Sequence, residues 1–168
     1  MKLKDMLEEC GAVRYGDFTL TSGKKSKYYV DIKMASTRPE ILKVIAQEMA
    51  NYVDEDKIAG MELGAVPLAT ALALETDKPF LMIRKKTKSH GTSSRIEGDI
   101  KEGDTVVVVE DVVTTGGSSV ETVQVLREAG AIVDKVIVVV DREEGAEKNL
   151  AAEDVELISL VDASDLLR

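Results

Sequence analysis

The sequence has one cysteine, one histidine, no tryptophan and only three prolines in 168 residues. A single thiol, Cys10, excludes an intrachain disulfide framework and any thiol-rich metal site, and it fits a reducing compartment. No apolar run approaches the roughly 20 residues needed to span a bilayer. The N-terminal stretch "MKLKDMLEECGAV" also lacks the continuous apolar region of a signal peptide. Instead Leu3, Met6, Leu7 and Cys10 recur at helical spacing, which predicts an amphipathic helix and, by default, a cytoplasmic protein. Positive charge is scarce as well: 22 Lys and Arg stand against 31 Asp and Glu, a net charge of -9. Such a chain is poorly suited to hold nucleic acid by bulk electrostatics, so any anion it binds must meet a local basic cluster.

What remains is ordinary for a globular domain: 44% hydrophobic and 32% charged residues, with no repeat or low-complexity linker. A chain of this length makes one domain and buries roughly 70% of its unfolded surface. "DFTLTSGKKSKYYVDIK" (Asp17 to Lys33) carries two short strand-like runs about a Ser-Gly-Lys-Lys turn, a hairpin-like unit. "TRPEILKVIAQEMANYV" starts a helix at Pro39 and places Ile41, Leu42, Ile45, Met49 and Tyr52 on one face. Strands and helices then alternate: "KIAGMEL", "KPFLMIR", "DTVVVVE", "DKVIVVVD" and "DVELIS" read as strands, "PLATALALE" and "SSVETVQVLREAGA" as helices. Unbroken Val/Ile runs indicate strands covered on both faces. The fold class is therefore α/β, with a doubly wound, mainly parallel central sheet flanked by helices and a small N-terminal hood-like segment. The longest irregular stretch is Lys85 to Gly103, and a loop of that length in a compact domain is usually functional or disordered.

Two clusters carry the chemistry. In "VVVVEDVVTTGGSS" (Val106 to Ser119) the acids Glu110 and Asp111 fall at the carboxyl end of a strand, where open parallel sheets bind ligands. A bare Glu-Asp pair is most often a solvated loop or helix cap. Here Thr114, Thr115, Gly116, Gly117 and Ser118 lead into a helix, so backbone N–H groups can cradle one phosphate at its N-terminus. Carboxylates beside that cradle would repel the phosphate unless they serve another part of the same ligand, and acceptors suit ribose hydroxyls. Neither the Gly-Lys-Ser/Thr of a P-loop nor G-x-G-x-x-G occurs here. The second cluster, "IRKKTKSHGTSSR", gathers Arg84, Lys85, Lys86, Lys88 and His90, the densest basic group in an acidic protein. Such runs are usually solvated surface. A cationic lid that stabilises departing negative charge is the sharper reading.

The acidic stretch resembles the ribose-phosphate signature of the type I phosphoribosyltransferases, which use 5-phosphoribosyl 1-diphosphate. The spacing Arg-Lys-x-x-Lys-x-His-Gly is similar to the catalytic lid of the orotate phosphoribosyltransferases. "GDFTLTSGKKSKYYVD" and "VVDREEG" resemble two further segments of that family, so the resemblance runs from about Gly16 to the last strand. It implies transfer of a phosphoribosyl group to orotate in pyrimidine synthesis. Mg²⁺ would rest on ligand oxygens and water, with no protein metal site. By position, Arg84, Lys85, Lys88 and His90 become diphosphate contacts, with Lys88 and Asp111 catalytic. Glu110, Asp111, Val112, Val113, Thr114, Thr115, Gly116, Gly117 and Ser118 become the ribose-phosphate grip. Thr114 and Arg142 become orotate contacts, a guanidinium being suited to pair bidentately with the carboxylate that distinguishes orotate from uracil. Tyr29 falls where the family often has an aromatic near the base, and Lys86 matches no fixed position.

The resemblance further implies a homodimer whose lid, residues 85–98, reaches the neighbouring subunit's site. Residues 1–35 would form a base-side segment and 36–168 the core, with no nucleic-acid or membrane partner. Departures remove charge from the ligand's surroundings: Thr21 stands where many bacterial members have lysine, and "ELGAVPLA" lacks a basic residue often found there. Glu110 replaces the more usual first aspartate. A purine phosphoribosyltransferase, a ribose-phosphate-sensing regulator and a binding module without chemistry are the alternatives, the regulator being disfavoured by the lack of a basic helix-turn-helix region.

Overall fold

A computed structural model describes residues 1–86 and 95–168. Five parallel strands and one short antiparallel edge strand form the main sheet. In chain order these are β3 (Lys57–Met61), β4 (Phe80–Ile83), β5 (Ile96–Glu97), β6 (Val106–Val113), β7 (Lys135–Asp141) and β8 (Glu156–Asp162). Their spatial order is β5-β4-β3-β6-β7-β8. Ahead of them, β1 (Val13–Thr19) and β2 (Lys25–Val30) pair as a separate antiparallel hairpin. No helix among the described residues is long and apolar enough to cross a membrane.

The valine run explains the layering. Side chains alternate across a strand, so Val107 and Val109 pack with Ile58, Ile137 and Val139 on one face, against α1 (Leu3–Glu9), α3 (Pro39–Ala50) and α4 (Ala65–Thr76). Val106 and Val108 face the other way with Leu81, Ile83 and Val136, against α5 (Gly117–Glu128) and Leu150 of α6 (Ala146–Ala151). Both faces are dry, so the strand needs no polar alternation. Each fully buried Val, Leu or Ile side chain contributes about 1.5–3 kcal/mol.

The N-terminal helix, the hairpin and the doubly wound class follow the sequence reading, with local corrections. In α3, Pro39 occupies the first turn and Ile41, Ile45 and Met49 form the buried stripe. Tyr52 does not extend that stripe: the helix ends at Ala50 with Asn51 as its C-cap, and Tyr52 is exposed. The strand expected over "KIAGMEL" stops at Met61, where the chain turns into α4. The irregular stretch after Lys85 contains β5, whose Glu97 and Ile96 pair with Met82 and Ile83. Three short helices had no periodic signal of their own or only a faint one: α2 (Ile32–Ser36), α6 and α7 (Ala163–Leu166).

Candidate functional site

The acidic pair does not lie in a loop. Glu110 and Asp111 belong to β6, which keeps pairing with β7 through Glu110↔Val138, Val112↔Val140 and Val113↔Asp141. The two carboxyls stay close to each other, and both residues line one cavity at the end of the strand. Glu110 is buried, and its Oε2 accepts a hydrogen bond from Ser119 Oγ at 3.4 Å, tying β6 to the first turn of α5. Burial and then the negative charge of Asp111 push the Glu110 carboxyl up to about 8. Asp111 points to the mouth of the sheet. Its Oδ1 accepts the Val112 N–H at 2.9 Å, and its Oδ2 lies 3.8 Å from Lys33 Nζ of α2.

A cavity of about 230 Å³ opens here, lined by Lys33, Glu62, Gly64, Lys85, Asp111 and Ser118, among others. The β3–α4 turn, Glu62 to Gly64, forms one wall. Glu62 Oε2 accepts the Lys85 N–H at 2.8 Å, so the start of the basic segment is fastened to this wall. The sequence reading gives Lys33, Glu62 and Gly64 no role, although it sets "ELGAVPLA", which holds the last two, beside the ligand. For the last two a signal existed: "MELG" directly follows a buried strand at the sheet's carboxyl edge.

Thr114 to Gly116 connect β6 to α5. Gly116 has φ +85°, a left-handed conformation that L side chains rarely adopt, and a Cβ on it would lie 3.2 Å from Ala146. The turn is braced by Asn149, whose Nδ2 donates to the Thr115 carbonyl at 2.7 Å. Gly117, Ser118 and Ser119 then open α5, and first-turn N–H groups of a helix have no intrahelical acceptor, so together with the positive end of the helix dipole they are suited to meet an anion.

Of the basic cluster, Lys85 lines the cavity, whereas the Arg84 side chain meets Glu97 of β5, Nε to Oε1 at 3.3 Å. The Arg84 N–H donates to the Arg95 carbonyl at 2.7 Å, and Arg95 Nη2 donates to the Lys85 carbonyl at 2.7 Å. The two ends of the basic segment therefore meet at one point. Lys88 and His90 lie outside the described residues. So do Thr92 to Ser94, while Lys86 is exposed.

Arg142 sits one residue past β7, with its N–H donating to the Val113 carbonyl at 3.0 Å and its side chain only 8% exposed. The hairpin covers it: Nη2 donates to Ser26 Oγ at 3.1 Å, and the guanidinium carbon lies 4.2 Å from the Tyr28 ring centroid. Tyr28, not Tyr29, is thus the tyrosine against this arginine. Tyr29 stands on the other side of the hairpin, beside Phe18 and under Arg14. Burial pushes the Tyr28 hydroxyl above its usual value, while Arg142 pulls the other way. Among the described residues no three metal-ligating side chains come together.

Residues 32–163 match the phosphoribosyl transferase domain family. The chain is 57% identical to an orotate phosphoribosyltransferase of Methanocaldococcus jannaschii, over 98% of this chain and 95% of that one. It is 59% identical to the protein of that name from Methanosarcina mazei, over 96% and 88%. Among solved structures, an orotate phosphoribosyltransferase from Aeropyrum pernix superposes with a TM-score of 0.87 at 37% identity, over 98% of this chain and 96% of that one.

Proposed function

The chain belongs to the phosphoribosyl transferase family, and from that premise we propose that it is an orotate phosphoribosyltransferase. It transfers the phosphoribosyl group of 5-phosphoribosyl 1-diphosphate to orotate, giving orotidine 5'-phosphate and pyrophosphate in pyrimidine biosynthesis. The observation that carries the choice of base is the buried guanidinium of Arg142 at the carboxyl edge of the sheet, bound to Ser26 Oγ and capped by Tyr28. A purine has no carboxylate to offer it. The near full-length relatives bear the orotate name as well.

The roles follow from position. The first turn of α5 and Thr114 to Ser118 take the 5-phosphate, with Val112 and Val113 as the strand that delivers the loop. Asp111 accepts from the ribose hydroxyls, with Glu110 beside it, and Thr114 and Arg142 meet orotate. The bond from the anomeric carbon to the diphosphate breaks as the orotate ring nitrogen forms its own, through an oxocarbenium-like state, and the proton that nitrogen loses leaves with the pyrophosphate. Catalysis is then electrostatic placement, and no covalent nucleophile is needed. Arg84, Lys85, Lys88 and His90 neutralise the departing diphosphate, with Lys88 the main charge. The Arg84–Glu97 contact engages only Nε of a half-exposed guanidinium, which keeps other N–H donors for Arg84 to take part.

Asp111 at the cavity wall is a hard oxygen donor, and among the described residues no protein cage competes with it, so the site fits an Mg²⁺ ion carried in on the substrate's own oxygens. When bound, such an ion offsets diphosphate charge. We further propose a cytoplasmic homodimer in which residues 85–98 of one subunit serve its neighbour. Residues 1–35 form the base-side segment of a single domain and 36–168 its core. The test is to mix protein, Mg²⁺, 5-phosphoribosyl 1-diphosphate and each base in turn and follow nucleotide formation. Orotidine 5'-phosphate from orotate is expected; turnover of adenine or hypoxanthine but not orotate overturns the proposal.

A further inference from the structure

The guanidinium of Arg142 is held on three sides. Nη2 is bound to Ser26 Oγ, the face rests on Tyr28, and Nε approaches Glu144 Oε2 at 3.3 Å. The Ser26 hydroxyl has one hydrogen, which it gives to the Tyr28 carbonyl at 2.8 Å, so toward Arg142 it acts as an acceptor. With Nε and one Nη2 hydrogen engaged and the plane set by the ring, the remaining edge of the fork is Nη1 together with the second Nη2 hydrogen. That edge is the one a carboxylate pairs with end-on.

Glu144 also has a second partner. Its Oε1 lies 3.3 Å from Lys24 Nζ, in the turn between β1 and β2. The other acids of this corner are turned elsewhere: Asp141 Oδ1 accepts the Glu143 N–H, and Glu143 Oε1 accepts both the N–H and the hydroxyl of Ser164. Glu144 is thus the acid that meets Arg142. Without a counter-charge it would repel an incoming carboxylate. Lys24 supplies one, and the trio Lys24, Glu144 and Arg142 keeps one net positive charge for the ligand.

We infer that Glu144 is a positioning residue for base selection: it holds Arg142 by Nε so that the free edge of the guanidinium meets a base-borne carboxylate, with Lys24 of the hairpin turn as its counter-ion. The inference rests on the reading of Arg142 as the partner of the orotate carboxylate. Selection among bases then depends on the hairpin being docked, because Lys24, Ser26 and Tyr28 all belong to it.

Steady-state kinetics on the full chain test this with Glu144→Ala, Glu144→Gln, Lys24→Met and Arg142→Ala. Loss of one charge-assisted contact corresponds to about tenfold. Glu144→Ala is expected to raise KM for orotate on that scale while KM for 5-phosphoribosyl 1-diphosphate moves far less. Glu144→Gln, which keeps an acceptor, should recover part of the loss. Lys24→Met should raise KM for orotate less, and add little in the Glu144→Ala background. If Arg142→Ala raises KM for orotate but Glu144→Ala does not, the inference falls and the base assignment stands. If Arg142→Ala leaves KM for orotate unchanged, the assignment of Arg142 falls and takes the inference with it. A rise in both KM values together, with a lowered Tm and no recovery by Glu144→Gln, would make Glu144 merely structural and also overturn the inference.

Discussion

Gly64 and Asp111 meet with no room between them: a Cβ on Gly64 would lie 2.2 Å from Asp111 Oδ2 and 2.8 Å from its Cγ. The turn after β3 thus sets where the Asp111 carboxylate can stand. Gly64 has an ordinary helical φ of -64°, so alanine there is not strained by backbone conformation and the whole effect comes from contact. Gly64→Ala should therefore fold, with Asp111 pushed off its position. Displacing a positioning group by about 1 Å costs on the order of 10²-fold in rate. We expect kcat/KM for 5-phosphoribosyl 1-diphosphate to fall on that scale while Tm shifts little. Wild-type kinetics in Gly64→Ala would mean that Asp111 is not held by this contact.

Glu110 makes stability depend on pH in an unusual direction. Its carboxyl is raised from the ordinary 4.5 to about 8 by burial, then by Asp111. Between those values the folded chain keeps a proton that the unfolded chain has released. Stability is therefore full below about pH 4.5 and is lost as pH rises through about 8, with a slope on the order of 1 kcal/mol per pH unit at most. Tm of the ligand-free protein should decline over this window more steeply than that of Glu110→Gln. Equal slopes in the two proteins would assign the dependence to other groups.

How far the sequence could carry this depends on where the information sits. The run Val106 to Val109 announces a strand dry on both faces because both faces read apolar, and the acids after it announce the sheet edge. Pro39 and the Ile41, Ile45, Met49 stripe are equally local. The surroundings of Arg142 are not: Ser26 reaches it across 116 residues of sequence. Tyr28 and Tyr29 show the limit well. Consecutive strand residues must face opposite ways, but only the pairing Tyr15↔Tyr28 decides which one turns inward. Likewise β5 has two residues and α6 six, too few for any period to register.

Lys88 carries the largest catalytic expectation. A lysine that meets charge developing on the diphosphate acts mainly in the transition state, so its loss should fall on kcat. Lys88→Ala is expected to lower turnover by about 10²-fold or more, the scale of losing one preorganised donor. Lys86→Ala, matching no fixed family position, should cost far less. Equal rates for wild type and Lys88→Ala would reduce Lys88 to surface charge.

The proposed sharing of residues 85–98 between subunits makes a prediction that neither single variant can. The described residues on either side of 87–94 meet at one point, where Arg95 binds the carbonyls of Arg84 and Lys85. Suppose this segment serves the neighbouring subunit. Lys88→Ala then spoils the partner's site, whereas Asp111→Asn spoils its own. Each homodimer is inactive, but a mixed dimer pairs an intact Asp111 with an intact Lys88 across the interface in one of its two sites. With free exchange half of all dimers are mixed, so about a quarter of wild-type activity should return on mixing. If instead each lid closed over its own subunit, both sites of the mixed dimer would stay dead. Activity measured after subunit exchange, with exchange followed independently by differently tagged chains, decides between the two arrangements.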